Sequence, residues 1–136
     1  MRFYCPKCWW DFGEDFQRCP QCGLNIGEYS NAKDWVEKLI DALEHPEPET
    51  VIRVVGILGT LQNERAVAPL IRLVQKTKDV YIARAAIGAL SRFDTPESRR
   101  FLKDAAATHP ALMVRKAAAE AVAEELNSSK EEAHEI

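Results

Sequence analysis

The sequence predicts a mainly α-helical protein, in which three stacked helical hairpins follow a small N-terminal β module. Residues 82–93 (IARAAIGALSRF) have imperfect copies 32 residues away on either side, at residues 50–61 and 114–125. A helical pattern that recurs at a spacing of this size is typical of solenoids, because one hairpin cannot bury its apolar face alone. All four cysteines lie within the first 22 residues, which sets that region apart as a second kind of structure.

Equivalent positions of the three copies stay small or apolar. They are Thr50/Ile82/Val114, Val54/Ala86/Ala118, Ile57/Ala89/Ala121 and Leu58/Leu90/Val122. Within one copy these positions fall at i, i+4, i+7 and i+8, which share one stripe of an α-helix. The middle copy has a neighbour on either side, so we expect it to form the centre of the core.

The overall composition is that of a soluble globular protein. Its 136 residues are 46% hydrophobic and 29% charged, which suits one packed domain with a small additional module. Its apolar runs are shorter than the roughly 20 residues that a membrane helix needs, and its N-terminus lacks a signal-peptide pattern. The net charge of −3 is spread along the chain, which argues against a polyanionic partner. We therefore expect a cytoplasmic protein without a membrane partner, and we favour a protein partner over a nucleic acid.

The cysteines form two CxxC pairs, Cys5/Cys8 and Cys19/Cys22, with ten residues between the pairs. This is the spacing of a tetrahedral four-cysteine site, in which the turn inside each pair directs both sulfurs at one ion. A module of about 30 residues is too small to build a sufficient core, so a metal ion is expected to supply much of its folding energy. The sequence thus predicts one Zn²⁺ per chain.

The motifs CPKC and CPQCG resemble those of the zinc-ribbon and rubredoxin-like knuckle group, over residues 3–24 or so. Two alternatives to zinc remain open. One is a pair of disulfides, although disulfides are rare inside cells. The other is iron, which the resemblance would connect with a rubredoxin-like electron carrier. Rubredoxins look longer between their cysteine pairs and carry glycine after both, whereas Trp9 follows Cys8 here.

Six of the eleven aromatic residues lie in the first sixteen positions. They are Phe3, Tyr4, Trp9, Trp10, Phe12 and Phe16. So small a module cannot bury them all, and some are expected to pack on the helices or to face a partner. Adjacent side chains of an extended chain point in opposite directions, so one of Trp9 and Trp10 can face inward and the other outward. The alternative is that both are buried, one over the cysteine loops and one beside Trp35.

Helix signals begin after a short ordered joint at residues 24–33. Asp34 followed by Glu37 fits a capping box at the start of the first helix, with Asn31 as the other candidate cap. The apolar face of this helix is expected to comprise Val36, Leu39, Ile40 and Leu43.

Prolines divide the rest of the chain. Pro48 and Pro96 can open helices, whereas Pro69 is expected to kink the helix that contains it. The turns inside the three hairpins are expected at His45-Pro46, at residues 76–79 and at His109-Pro110. We expect about six helices, the last of which ends near Leu126.

Residues 34–126 resemble HEAT repeats of the short type found in bilin lyases. The segments NERAVAPLIRLVQK and VRKAAAEAVA are similar to the first and second helices of that family, and ILGTLQN is similar to the end of its second helix. The resemblance implies a three-repeat HEAT-like α-solenoid that builds binding surfaces. The predicted domains are a zinc ribbon at 1–29, the solenoid at 30–127 and a polar tail at 128–136.

The chain lacks the residue patterns of a catalytic site. Some HEAT proteins hold a di-iron site on paired His-Glu dipeptides, but the only one here is His134-Glu135. His45 and His109 occupy matching turns, and we expect them to be exposed. The expected function is a zinc-binding protein-interaction adaptor, with an iron electron carrier or a nucleic-acid-binding module as alternatives. Its partner surface is expected on the second helices, which line the inner face of the solenoid, or on the more exposed of Trp9 and Trp10.

Overall fold

A computed structural model describes residues 3–134, with side chains described as far as Glu124. This part of the chain forms two short strands and seven α-helices. The strands are β1 (Phe3–Tyr4) and β2 (Asp11–Phe12). The helices are α1 (Ile26–Ala32), α2 (Trp35–Asp41), α3 (Pro48–Leu61), α4 (Val67–Lys76), α5 (Val80–Leu90), α6 (Pro96–Thr108) and α7 (Leu112–His134). Short 3₁₀ turns at Ala42–Glu44 and Glu64–Ala66 follow α2 and precede α4.

Helices α2 to α7 form three hairpins, which stack into the predicted α-solenoid. The central helix α5 contacts α3 and α7, the second helices of the neighbouring hairpins, as well as its own partner α4. Its inward side chains are almost fully buried: Ala83, Ala86, Ile87 and Leu90. The middle repeat is therefore the centre of the core, as the repeat pattern predicts.

Small residues allow the second helices to approach closely. Gly59 of α3 faces Ala89 of α5, and a Cβ atom added to Gly59 would lie 3.1 Å from both the Cα and the Cβ of Ala89. Farther along the stack, Ala86 and Ala118 are both fully buried. Close-packed interiors leave little room for extra atoms, so the spacing of these helices depends on the small side chains between them.

The predicted capping box is confirmed at the start of α2. The carboxylate of Asp34 accepts a hydrogen bond from the backbone N–H of Glu37 at 2.9 Å, and the Glu37 carboxylate accepts one from the N–H of Asp34. Arg65 of the next repeat donates to the same Asp34 side chain at 2.8 Å. The Glu37 N–H and the Arg65 guanidinium together lower the pKa of the Asp34 carboxyl. Asn31 is instead an internal residue of α1.

Three sequence expectations about the helices need correction. The joint at residues 24–33 contains α1, which Asn25 caps by accepting from the N–H of Glu28. Pro69 does not kink a helix: it is the third residue of α4, where the backbone N–H has no partner inside the helix and proline costs no hydrogen bond. Finally, α7 continues beyond Leu126, because the next residues include good helix formers and neither glycine nor proline.

No helix within residues 3–134 combines the length and the apolar character that a bilayer crossing requires. Residues 135 and 136 of the predicted tail lie outside the described residues, as do residues 1 and 2 of the predicted ribbon.

Candidate metal centre

The N-terminal module brings the four cysteine sulfurs together. All four Sγ atoms lie within 4.8 Å of one another, with Cys5 and Cys22 separated by 3.5 Å and Cys8 and Cys19 by 3.7 Å. Four sulfurs placed tetrahedrally about 2.3 Å from one ion would be about 3.8 Å apart. The cluster therefore has the donor set and approximate size of a four-coordinate metal site, and it can hold a metal ion.

Two similar turns place these sulfurs. In the first turn the backbone N–H of Trp9 donates to the carbonyl of Cys5, and in the second the N–H of Gly23 donates to the carbonyl of Cys19, both at 2.8 Å. Strands β1 and β2 pair antiparallel beside the first turn, with Phe3 opposite Phe12. Equivalent hydrogen bonds thus give each CxxC pair the same local shape.

Backbone amides and neighbouring sulfurs give the cysteine thiols of the cluster different pKa values. Desolvation raises the pKa of Cys19, but the N–H groups of Cys22 and Gln21 and the adjacent sulfurs outweigh it and lower that pKa to about 7. The N–H of Trp10 lowers the pKa of Cys8, yet desolvation and the other sulfurs raise it to about 12. Without a cation, the pKa of the Cys19 thiol is thus lowered while the pKa values of the Cys8 and Cys22 thiols are raised. A bound cation stabilises all of them as thiolates.

Trp9 occupies a backbone conformation that is unfavourable for it. Its φ is 60°, in the left-handed region where Gly23 of the second turn has φ of 82°. Only glycine adopts this region without a steric penalty. The strain persists because the indole of Trp9 packs edge-on against the imidazole of His45, with ring centroids 5.2 Å apart.

The His45-Pro46 turn is the platform on which the cysteine module docks. The ring of Tyr4 also lies against His45, at a centroid distance of 4.5 Å, and its hydroxyl donates to Oε1 of Glu47 at 2.6 Å. His45 Nδ1 accepts a hydrogen bond from the Glu47 N–H, as His109 Nδ1 does from the Ala111 N–H. Both histidines are half-buried, so the expectation that they are exposed is wrong.

The two adjacent tryptophans point in different directions. Trp9 is half-buried against His45, whereas 52% of Trp10 is exposed. Trp35 is 61% exposed. The alternative in which both Trp9 and Trp10 are buried is therefore wrong, and Trp10 is the more exposed of the pair.

Sequence reasoning found the cysteines but missed the residues that attach their module to the solenoid. The sequence indicated that some aromatic residues would pack on the helices and that one of Trp9 and Trp10 could face inward, but it did not identify Tyr4 and Trp9 as those residues or His45 as their partner. The His-Pro dipeptide that occurs at both residue 45 and residue 109 could have drawn attention to these two turns. It did not reveal that the first of these turns carries two aromatic rings.

The fold and the cysteine cluster define an α-solenoid preceded by a four-cysteine knuckle with a small two-stranded sheet. Residues 36–123, about two-thirds of the chain, match the HEAT repeats family, and the chain belongs to that family. No curated protein matches the sequence. HEAT repeats commonly mediate protein interactions and are typically a non-catalytic scaffold fold.

Proposed function

We propose that this protein is an adaptor that binds a protein partner and carries one structural Zn²⁺ on Cys5, Cys8, Cys19 and Cys22. The observation that supports this most directly is the cysteine cluster itself. Its four sulfurs lie within 4.8 Å of one another, and Cys5 and Cys19 are almost fully buried. Four thiolates fill all positions around a tetrahedral Zn²⁺, which is typical of structural rather than catalytic sites. When bound, the ion would supply folding energy to the module.

The contacts of the cysteine module leave part of its surface available to a protein partner. Tyr4 and Trp9 attach it to the first hairpin, while Trp10 faces outward. Exposed aromatic residues often dominate the affinity of protein interfaces. We therefore place the main partner contact at Trp10, and the second candidate surface on the second helices of the hairpins, where Tyr81 is 62% exposed.

We also propose a division of the chain into three regions. A zinc ribbon at residues 1–29, a solenoid at 30–127 and a polar tail at 128–136 remain our proposed regions. Helix α1 (Ile26–Ala32) crosses the first of these boundaries and so forms a continuous connection. We propose a cytoplasmic location, where the reducing environment keeps the four thiols available for a metal.

Iron is the second candidate for the same four sulfurs. Four thiolates bind Fe as well as Zn, and an iron centre would make the protein an electron carrier. A nucleic-acid partner is less favoured, because the net charge of the chain is −3 and phosphate contacts need clustered cations.

Metal analysis of protein purified without chelator tests the proposal. We expect one zinc per chain, and loss of that zinc in a Cys22→Ser variant. Stoichiometric iron with a red chromophore would favour the electron carrier over the zinc-binding adaptor, and four oxidised thiols without metal would exclude both a zinc and an iron centre. Capture of partners from native extract by the zinc-loaded protein then tests the adaptor function itself.

A further inference from the structure

A groove of about 1080 Å³ separates the cysteine module from the second hairpin. Its first wall is the turn that contains Pro6, Lys7 and Trp9. The opposite wall is one stripe of α4, with i, i+3, i+4 and i+7 spacing: Pro69, Arg72, Leu73 and Lys76. Its floor is apolar and comprises Leu24, Ile40, Leu43, Val51 and Ile82. The groove therefore lies where the cysteine module, the first hairpin and the second hairpin come together.

The side chains that line this groove carry a net positive charge, whereas the whole chain is net negative. Four cations line it, Lys7, Lys33, Arg72 and Lys76, together with the carboxylates of Asp41 and Glu44. The protein as a whole has a net charge of −3. The groove is thus a local positive surface on an acidic protein.

One of the two carboxylates is already neutralised within the groove. Oδ2 of Asp41 accepts from Nζ of Lys33 at 2.5 Å and from the hydroxyl of Tyr29 at 2.8 Å. Burial and this hydrogen bond raise the pKa of Tyr29 well above its usual value, which keeps the hydroxyl a donor. Lys7, Arg72 and Lys76 have no ion-pair partner among the described residues. Three cations are therefore available to an incoming ligand.

We propose that this groove binds a short acidic segment of the partner protein, an inference that rests on the adaptor function proposed above. In an extended peptide alternate side chains point to opposite sides. Carboxylates of the segment can pair with Lys7 on one wall or with Arg72 and Lys76 on the other, while its aliphatic side chains cover the apolar floor. A nucleic acid fits less well, because it has no aliphatic side chains to cover that floor.

The test uses a fluorescently labelled peptide of about eight residues that alternates glutamate with leucine, so that an extended chain is acidic on one side and apolar on the other. Zinc-loaded protein should bind it, more weakly as salt is raised, because exposed ion pairs are screened. Replacing glutamate by glutamine should weaken binding, and replacing it by lysine should abolish it. Equal binding of the three peptides would overturn the proposal. So would tighter binding of a thymidine oligonucleotide of similar length, which would indicate a nucleic-acid site.

Charge reversal on α4 locates the site. The double variant Arg72→Glu/Lys76→Glu should bind the acidic peptide about tenfold more weakly, since two exposed ion pairs are replaced by two repulsions. The matched control is Arg100→Glu/Lys103→Glu, which makes the same charge change at exposed positions of α6 outside this groove. It should bind like wild type. If the reversed variant does not fold, Arg72→Gln/Lys76→Gln takes its place, with a smaller loss expected.

Failure of this inference is distinguishable from failure of the adaptor function. Wild-type affinity in both α4 variants, or no binding of the peptide to the wild-type protein, would exclude the groove. The adaptor function would still stand if a partner were captured through Trp10. If no partner is captured by the wild-type protein or by either α4 variant, the adaptor function itself is excluded.

Discussion

The indole of Trp9 meets the imidazole of His45 edge-on, at an interplanar angle of 61°. These two residues join different parts of the molecule, since Trp9 follows the first cysteine pair and His45 turns the chain between the helices of the first hairpin. Trp9 makes this contact from a backbone conformation that favours glycine. The contact therefore stabilises the docking of the module at a local energetic cost.

Substitutions at Trp9 should separate the ring contact from the backbone strain. Trp9→Ala removes the ring and keeps the strain, whereas Trp9→Gly removes both. Both variants should lower the free energy of unfolding, but glycine should be about 1 kcal/mol less destabilising than alanine. Urea unfolding of the zinc-loaded variants measures the difference.

The second turn provides a control for this comparison. Gly23 has the same kind of backbone conformation, and a Cβ atom there would have no neighbour within 4 Å. Gly23→Ala should therefore destabilise through strain alone, by about 1 kcal/mol. Equal stability of the two Trp9 variants would contradict the assignment of strain.

Removal of the metal should leave the solenoid helical. Its core consists of side chains from its own helices, such as Leu58, Leu70 and Leu90, and the cysteine module touches it at the His45 turn. Chelation of the full chain should therefore preserve most of the helical circular dichroism and change the near-ultraviolet signal of the tryptophans. Loss of most of the helical signal would show instead that the module is an obligatory cap of the repeats.

Alanine at Trp10 should weaken partner binding without affecting the fold. Because the ring is half exposed, Trp10→Ala should leave zinc content and melting temperature unchanged while costing about 2 kcal/mol of binding free energy. Tyr81→Ala is the matched variant on the other candidate surface, where it removes an exposed ring from α5. Affinity for the captured partner, measured by calorimetry, decides between the two surfaces. If only Tyr81→Ala weakens binding, the partner lies on the second helices.

Two glycines of α3 should respond oppositely to alanine. A Cβ atom added at Gly56 would have no neighbour within 4 Å, so Gly56→Ala should stabilise by about 1 kcal/mol through helix propensity. Gly59→Ala has the same favourable change in helix propensity, but it forces a methyl group against the backbone of Ala89. Because overpacking costs about 1–3 kcal/mol, we expect a net loss of about 1 kcal/mol. Thermal unfolding of both variants tests this, and stabilisation by Gly59→Ala would mean that α3 and α5 can separate without cost.

Features that depend on local spacing could be predicted from the sequence. The repeat at an offset of 32 residues predicted the three hairpins and the columns of buried and half-buried side chains between them, because helical periodicity determines which side chains share a face. The capping box at Asp34 followed from the same kind of local rule. The two CxxC pairs predicted that four sulfurs would lie together, and they do.

Features that depend on neighbouring elements could not be predicted in this way. Pro69 follows a 3₁₀ turn and so lies where its missing N–H is harmless, which no local signal indicated. The direction of Trp9, the contact with His45 and the groove beside Arg72 all arise where segments distant in sequence meet. Periodicity and spacing report the conformation of one segment at a time. Only the packing of the cysteine module on the first hairpin decided which of its aromatic residues is buried, and only the position of the second hairpin decided which cations face one groove.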